Sequence, residues 1–422
     1  MFGKILNTFF TRVLTAILMF LVVIINTNTF GAEGTGTIAL VILGLTLLQV
    51  LSNFVGGSTL VYLTPQKNNF QILFLSYIWS LVSNVAGVFV FDALHLIPHE
   101  YVWHLMGLTL VYSVFYIHIS IMQGKEDIKL YNCYQLTQVL LLILSLSGAI
   151  AYHKMQGLST DITLYLYAFL FSYLVPALCS CIYIAKRIGQ PTFTGMGALL
   201  KEMFQLGFWT QLANLTQLLT YRLNYYLIGG FIGRKPLGIY ELGSKLSEAV
   251  WIFPKSLCLI QYARIANNHE EEYAKKLTLN MLKVVFIFSM VAILVLLVLP
   301  ASFIAWVFGP EFINSKPVIC SLLPGIVFLS CHAILSHHFA GFGKYWINTI
   351  GSVIGLAVTA GLGFALIPRI SATNIPLALQ TAGWISSTAY LASLIYTLIC
   401  FFRMTSVQAR DFMITRSDLA MV

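Results

Sequence analysis

The sequence predicts an all-α, polytopic membrane protein with about twelve transmembrane helices. Of its 422 residues only 9% are charged and 58% are hydrophobic, and the mean hydropathy is +0.84. A soluble domain carries about 25% charged residues, so this chain could not cover itself with a hydrated surface. Hydrophobic runs such as 291–299 lack the in/out alternation of a barrel strand, which leaves helices as the spanning elements.

Twelve hydrophobic segments follow one another along the chain. A spanning helix needs about 20 mostly apolar residues. The candidate spans are centred near Leu18, Leu47, Trp79, Val111, Leu141, Phe171, Leu218, Val250, Leu294, Val327, Leu356 and Ala389. The segments between them are short, so we predict no sizeable soluble domain. The first is too long for a secretory signal and lacks a cleavage site, so we expect it to be the first span.

The positive charge is distributed unevenly over the loops. With a cytoplasmic N-terminus, the inner segments carry Lys67, Lys125, Lys129, Lys186, Arg187, Lys201, Arg264, Lys275, Lys276, Lys344, Arg403, Arg410 and Arg416. The outer segments carry only Lys154, Arg234, Lys235, Lys316 and Arg369. This asymmetry predicts that both termini are cytoplasmic. It explains the net charge of +9 without a nucleic-acid partner.

A polar segment with several glycines and a proline divides the spans into two sets of six. We predict an N-terminal six-helix lobe over 1–190, a cytoplasmic linker over 191–203, and a C-terminal six-helix lobe with a short cytoplasmic tail over 204–422. The end of the polar segment, 199–208, has the pattern of an amphipathic helix on the inner membrane surface.

The two halves share a short pattern that indicates an internal repeat. Gly31 and Gly36 follow the first span, and Gly233 and Gly238 follow the seventh with the same spacing of five. Two parallel repeats with a binding site between them are a common plan of transporters.

The seventh span carries an arginine and a polar stripe. Thr210, Asn214, Gln217, Tyr221 and Asn224 recur at helical spacing, and Arg222 lies beside them without an acid in the same helix. A charge at a helix centre costs about 2.5 to 3.5 kcal/mol, so such a residue indicates function by default. We expect Arg222 to line a hydrated cavity, and the alternative is a structural partner on another helix.

Further charges lie in the first and eighth spans. Arg12 opens span one, where snorkelling to the inner surface is the alternative to a cavity position. Glu241, Lys245, Glu248 and Lys255 share span eight, where Lys245 can pair with the acid on either side of it. Because spans one and seven offer arginine and no carboxylate, the pattern predicts a cationic cavity for an anionic cargo. The guanidinium geometry fits a pyrophosphate.

Several site classes find no support in the sequence. We find no phosphate-binding glycine loop and no acid pair or nucleophile with its base, so we predict no catalytic residue, cofactor or metal ion. A membrane-embedded saccharide polymerase or acyltransferase is a second alternative function, although its catalytic groups would need a larger surface than the short outer loops provide. We expect His332, His337 and His338 to lie near the membrane interface.

The residues from 221 to 254 resemble a known family. The run Tyr221-Arg222-Leu223-Asn224-Tyr225-Tyr226-Leu227-Ile228-Gly229-Gly230-Phe231-Ile232-Gly233 is followed by Leu237-Gly238-Ile239-Tyr240, Lys245-Leu246-Ser247-Glu248, Trp251 and Pro254. It is similar to the seventh and eighth helices of bacterial polysaccharide flippases of the Wzx or O-antigen type, in the multidrug/oligosaccharidyl-lipid/polysaccharide exporter superfamily. Two departures are Asn224, where the family usually has Asp, and Tyr262-Ala263-Arg264 in place of Pro-Arg.

The resemblance implies a V-shaped exporter fold with two six-helix lobes and alternating access through a central cavity. It implies a transporter that flips an undecaprenyl-pyrophosphate-linked oligosaccharide from the inner to the outer leaflet of the bacterial cytoplasmic membrane. The expected partners are this cargo and membrane lipids, with polysaccharide polymerase machinery as a further candidate. A multidrug exporter of organic cations is the alternative, although it usually needs acids in the N-terminal lobe and span one has none.

These considerations select a set of candidate site residues. The residues expected to line the cavity are Arg222, Arg12, Lys245, Lys255, Asn214, Gln217, Tyr221 and Asn224. The acids Glu241 and Glu248 are the candidates for coupling transport to a cation gradient.

Overall fold

The computed structural model describes residues 2–268, 270–405 and 407, with side chains from residue 10 onward. Arg410 and Arg416, which we expect on the cytoplasmic side, lie outside the described residues.

Every regular element in these ranges is helical, which confirms the all-α class. The α-helices are α1 (Phe2–Ser52), α2 (Ser58–Leu63), α3 (Asn69–Ala93), α4 (Val102–Gly124), α5 (Ile128–Met155), α6 (Thr163–Ala185), α7 (Met196–Phe231), α8 (Arg234–Glu248), α9 (Ile252–Asn267), α10 (Glu271–Val298), α11 (Ala301–Phe308), α12 (Ser315–Gly341), α13 (Tyr345–Ser371) and α14 (Ile375–Thr405). Short 3-10 turns cover His99–Tyr101, Ala249–Trp251 and Pro310–Asn314.

Each predicted span has a helical counterpart. Helix α1 contains the first two spans, and α8, the turn Ala249–Trp251 and α9 together form the eighth. Within the described ranges, nine helical segments are long and apolar enough to cross a membrane, and one of them, Phe10–Ser52, holds both spans of α1. Helix α7 is not among the nine because polar and charged residues interrupt its hydropathy, and α8 and α9, with 15 and 16 residues, are each too short on their own. The chain is a multi-pass membrane protein.

Two glycines break the helices at matching places. Gly31 kinks α1 with φ 63° and ψ −166°, and Gly233 separates α7 from α8 with φ 119° and ψ 177°. Both values lie in the region where a Cβ is strained, which explains the choice of glycine. In each half, a long first helix therefore ends at a glycine and the next begins at once. This geometry supports the internal repeat predicted from the glycine spacing.

The chain separates into two compact units within α7, the first ending at Leu215 and the second beginning at Thr216. In the first unit, α4 packs against α3 and α6, and α5 packs against α1 and α6. In the second, α12 is the central helix and contacts α8, α9, α10, α13 and α14. In its most apolar stretch, 78% of the residues are buried, which is more than in any other candidate span of the described residues.

The segment 199–208 is not a separate surface helix, as the sequence led us to expect, but the start of α7. Leu199 and Met203 are buried, and the side chains of Phe204 and Phe208 contact Phe54, which follows α1. At Gly207 an added Cβ would lie 2.1 Å from the Phe54 carbonyl oxygen. This close backbone contact fixes the start of α7 against the end of α1 within the first unit.

The polar segment before α7 is bonded to the start of α3. The Asn68 side chain donates to the Gln190 carbonyl at 3.0 Å, and Asn69 donates to the Arg187 carbonyl at 2.8 Å. Gln71 adds a bond to the Thr194 carbonyl at 2.8 Å. Three side-chain amides thus satisfy the backbone of a segment that has no regular structure of its own.

Candidate functional site

The centre of the candidate site is an ion pair between α7 and α8. Both terminal nitrogens of Arg222 donate to the two carboxylate oxygens of Glu248, each at 2.7 Å. The side chains are 24% and 27% exposed. This two-bond geometry is the strongest form of an arginine–carboxylate contact. Arg222 therefore has the partner on another helix that the sequence left as the alternative.

A second ion pair is joined to the first through a tyrosine. Arg222 also donates to the Tyr225 hydroxyl at 2.7 Å, and Glu241 lies close to this tyrosine. The Lys245 ammonium is 2.7 Å from Glu241, one helical turn away on α8. The Glu241 side chain is 7% exposed, whereas that of Lys245 is 42% exposed. The result is a continuous chain of alternating charges along α7 and α8.

Lys255 lies one helix further on and differs from the other charges. Its ammonium lies 3.8 Å from the centroid of the Trp251 ring, a cation–π contact, and the residue is exposed. It forms no ion pair with a described residue. The Trp251 ring also packs edge-on against Tyr221, with centroids 5.5 Å apart. Aromatic contacts therefore place Lys255 beside the group of charged and hydroxyl side chains around Arg222. We call this group the Arg222 cluster, and its members are Arg222, Tyr225, Glu241, Lys245 and Glu248.

The polar stripe of α7 does not face a single environment. Asn214 and Gln217 are exposed, and Tyr221 is half-buried. Asn224 is 1% exposed and donates to the Ala382 carbonyl and the Ser386 hydroxyl of α14, each at 2.9 Å. Its amide therefore holds α7 against α14, and its position on a cavity surface stays a prediction.

Arg12 belongs to the first unit and is described by itself. It lies on an exposed face of α1 and forms no ion pair with a described residue. Asn26, fourteen positions along, is only 7% exposed, and its side-chain oxygen accepts no hydrogen bond there. The two residues therefore differ in environment, although they lie on roughly the same helical face.

The charge balance of the second unit is less positive than the sequence indicated. Three cations, Arg222, Lys245 and Lys255, lie near two carboxylates, Glu241 and Glu248, and two ion pairs are already formed. The expectation of a purely cationic surface rested on spans one and seven alone. The carboxylates of α8 neutralise most of this charge and leave a small positive excess.

A buried polar network in the first unit was not selected from the sequence. Gln49 accepts from the Ser113 hydroxyl at 3.0 Å, and Ser113 accepts from Asn84 at 2.9 Å. Asn84 also donates to Ser80, which bonds Ser52 at 2.8 Å. On each single helix the sequence shows only one polar residue every three or four positions. The hydrogen bonds of the network join residues of three helices, α1, α3 and α4, which such a pattern does not reveal. Most of the hydrogen-bonding groups in this network have a partner, which indicates a structural role for the network.

Histidines outside the predicted site are also buried. His118 bonds Tyr77 and Ser180, both at 2.6 Å, and is 1% exposed. His332 and His338 are 5% and 3% exposed, so their expected interfacial position does not mean exposure to solvent. Among the described residues, no group of three or more histidines, cysteines or acids could hold a metal ion.

Comparisons with known proteins agree on fold and family. The sequence profile of a family described as polysaccharide biosynthesis protein matches residues 36–317, which is most of the chain. No curated protein matches it. An inward-facing multidrug resistance MATE family transporter of the MOP superfamily is similar in structure, with a TM-score of 0.73, 14% identity, and 93% of this chain and 95% of that chain covered.

Two further solved structures share this fold. The lipid II flippase MurJ in an inward closed conformation has a TM-score of 0.74 and 14% identity over 98% of this chain and 89% of that chain. A MATE transporter of Vibrio cholerae has a TM-score of 0.63 and 12% identity over 98% of each chain. At these identities the likeness is one of fold, and the chain has the MATE- and MurJ-like transporter fold.

Proposed function

We propose that this chain, which belongs to the family of polysaccharide biosynthesis proteins, is a transporter that flips a lipid-linked oligosaccharide across the membrane. The proposed cargo is carried on undecaprenyl pyrophosphate and moves from the inner to the outer leaflet of the bacterial cytoplasmic membrane by alternating access. The match to a polysaccharide biosynthesis family supports a saccharide as the cargo, and the fold shared with transporters supports a transport function. Both termini are proposed to be cytoplasmic, from the distribution of Lys and Arg.

The observation that carries the proposal is the two-bond ion pair between Arg222 and Glu248. An oxygen pair of a pyrophosphate has the same demand for two parallel N–H donors as a carboxylate. Arg222 uses three of its five N–H donors on Glu248 and Tyr225, and its side chain is still 24% exposed. A phosphate group can therefore replace Glu248 on Arg222 without a new cation.

This exchange gives the acids a role in coupling. A carboxylate released from arginine in a partly buried position is stabilised when it takes up a proton or a cation. Glu248 would then be neutralised when cargo binds and would pair again with Arg222 when cargo leaves. Glu241 stays paired with Lys245 in the same chain of charges, so the two acids need not act alike.

An exporter of organic cations is the second candidate, because one of the structures with this fold is a multidrug resistance transporter. Three cations against two carboxylates around Arg222 favour an anion over a cation. An anionic cargo also makes a clear prediction about arginine: its removal should impair translocation of an anion and leave export of a cation unchanged or improved.

The test is translocation by the full chain in liposomes that contain a fluorescent undecaprenyl-pyrophosphate oligosaccharide. Wild type is compared with Arg222→Met and with Arg12→Ala. We expect flipping to fall at least about tenfold for Arg222→Met, the loss of roughly one charge-assisted bond to the cargo. Lys235→Gln is the matched control, because Lys235 forms an exposed ion pair with Glu311 at 2.5 Å in the same unit.

The outcomes separate the candidates. Flipping that depends on Arg222 and not on Lys235 supports the proposal. Wild-type protein that flips no saccharide headgroup, with or without an ion gradient, but exports organic cations would replace it with the second candidate. A saccharide product formed by the purified protein in detergent would instead identify an enzyme.

A further inference from the structure

Four membrane-spanning helices of the second unit end around one cavity of about 120 Å³. Its lining comes from Glu271, Glu272, Lys275, His338, Phe339, Phe342, Lys344, Met404 and Thr405. These residues belong to the start of α10, the end of α12, the residue before α13 and the end of α14. Because all four helices are candidate spans, the cavity lies at a membrane surface. Tyr345 and Trp346, each 55% exposed, mark the interfacial level beside it.

A buried histidine presents one free nitrogen to this cavity. His338 is 3% exposed, and three phenylalanine rings hold its imidazole in place. Its Nδ1 lies 2.8 Å from the Thr278 hydroxyl, which itself donates to the Ala274 carbonyl. We assign the hydroxyl proton to the Ala274 carbonyl, so that the hydroxyl accepts from Gln261 and from Nδ1–H, and the neutral ring carries its lone pair on Nε2. Nε2 forms no hydrogen bond with a described residue.

The charges of the lining are balanced. The two ammonium groups are those of Lys275 and Lys344, and the two carboxylates are those of Glu271 and Glu272. Only Lys275 and Glu272 form an ion pair, with a long separation of 3.7 Å. An equal number of donors and acceptors favours neither a simple anion nor a simple cation. It suits a ligand that carries one charge of each sign.

We propose that this cavity binds the headgroup of a zwitterionic aminophospholipid, of which phosphatidylethanolamine is the simplest. Its phosphate accepts hydrogen bonds from Lys275 and Lys344. Its primary ammonium donates to Nε2 of His338 and to the carboxylates of Glu271 and Glu272. The acyl chains lie along the membrane-spanning parts of the same helices. This site is independent of the saccharide cargo and of the Arg222 cluster.

The chemistry separates this headgroup from the other common ones. The quaternary ammonium of phosphatidylcholine has no N–H and cannot donate to Nε2 or to a carboxylate. The headgroup of phosphatidylglycerol has no positive charge for Glu271 and Glu272 and places a net negative charge beside them. Only a primary amine with a phosphate satisfies both halves of the lining.

The test uses the full chain, purified and depleted of lipid in detergent, with bound lipid counted by native mass spectrometry. Dioctanoyl phosphatidylethanolamine, phosphatidylcholine and phosphatidylglycerol are titrated separately. We expect phosphatidylethanolamine to bind about tenfold more tightly than either of the others. Equal binding of the three lipids, or tighter binding of phosphatidylglycerol, would overturn the proposal, and this ranking in wild type decides it even where a variant does not fold.

Two pairs of variants locate the site. The double substitution Glu271→Gln and Glu272→Gln should abolish the preference for phosphatidylethanolamine over phosphatidylcholine, whereas Glu270→Gln, exposed and outside the lining, should leave it intact. Lys344→Gln should weaken the binding of phosphatidylethanolamine and of phosphatidylcholine several-fold. Lys276→Gln, at an exposed position outside the lining, should leave the binding of both lipids unchanged. An equal effect of the control variants would refute this location.

A last arm distinguishes a membrane lipid from a soluble ligand of the same chemistry. Free phosphoethanolamine is titrated as a competitor of dioctanoyl phosphatidylethanolamine. We expect no displacement at concentrations that exceed the lipid's Kd about a hundredfold, because the acyl chains contribute apolar burial that the free headgroup lacks. Displacement at equal concentration would assign the cavity to a soluble ligand and overturn its assignment to a lipid.

Discussion

The ion pair between Arg222 and Glu248 makes a quantitative prediction about stability. Replacing Arg222 by Met removes its two bonds to Glu248 and its bond to Tyr225, each of 2.7 Å, and leaves a partly buried carboxylate unpaired. Breaking a fully buried pair in this way costs about 3 to 5 kcal/mol. Since 24% and 27% of the two side chains are exposed, we expect the lower end, about 3 kcal/mol.

A double-mutant cycle isolates the pair from the rest of the cluster. Glu248→Gln alone should cost about 1.5 kcal/mol, because its amide oxygen still accepts one bond from Arg222. In the double variant neither charge of the pair is left unpaired, so the unfolding free energy should fall by about 2.5 kcal/mol. The two single losses together exceed this value by about 2 kcal/mol, which is the expected coupling energy between the sites. The measurement is unfolding in mixed micelles as the fraction of SDS rises, followed by far-ultraviolet circular dichroism.

The control cycle replaces Lys235 and Glu311, which are 2.5 Å apart with side chains 55% and 39% exposed. An exposed pair should give a coupling below about 1 kcal/mol. The reasoning fails if the Arg222 and Glu248 losses add within about 0.5 kcal/mol, or if the exposed pair couples as strongly.

Two further predictions concern the packing of helix ends. The Lys316 ammonium donates to the carbonyls of Leu296, Leu297 and Leu299 at 2.7, 2.8 and 2.7 Å, so Lys316→Met should destabilise the end of α10 by about 2 kcal/mol, while Lys316→Arg should cost less. Hydrogen exchange of α10 tests this, and equal protection in Lys316→Met and wild type would contradict it. Gly207→Ala should lower the unfolding free energy by about 3 kcal/mol because its Cβ meets a backbone carbonyl, whereas alanine at Gly197, where the space is open, should not.

The membrane-spanning helices were predictable because their signals are local. A run of about 20 apolar residues is sufficient to place a span, whatever surrounds it. Gly31 and Gly233 were selected from the sequence as parts of a repeat, and the structure shows that both lie at helix breaks with backbone angles that favour glycine. The start of α7 was misread because its apolar stripe at Leu199 and Met203 fits a membrane surface as well as it fits a neighbouring helix.

The partners of the charges were less predictable. Spacing reveals pairs within a helix, and it offered Lys245 either Glu241 or Glu248. The structure pairs Lys245 with Glu241, and Glu248 goes to Arg222, which lies 26 positions away on α7. No pattern within one helix indicates such a contact. The amide of Asn224 illustrates the same difficulty, because its position in a polar stripe does not tell which neighbouring helix it bonds.

The way the charges pair predicts which of them first contacts an anionic cargo. Arg222 and Lys245 each have a carboxylate partner, which lowers the cost of placing them in the membrane. Lys255 is exposed beside the Trp251 ring and forms no ion pair with a described residue. A pyrophosphate therefore meets Lys255 without displacing a carboxylate, whereas it must displace Glu248 from Arg222.

Substitution should separate these two contributions. Lys255→Met should weaken binding of the fluorescent undecaprenyl-pyrophosphate oligosaccharide by about tenfold with a change in unfolding free energy below about 1 kcal/mol. Arg222→Met should reduce both binding and stability. Salt should weaken cargo binding to wild type more than to Lys255→Met, because an exposed charge is screened. A Lys255→Met protein that binds cargo normally at low salt would show that Lys255 is held by Trp251 for packing alone, and would leave Arg222 as the anion contact of this cluster.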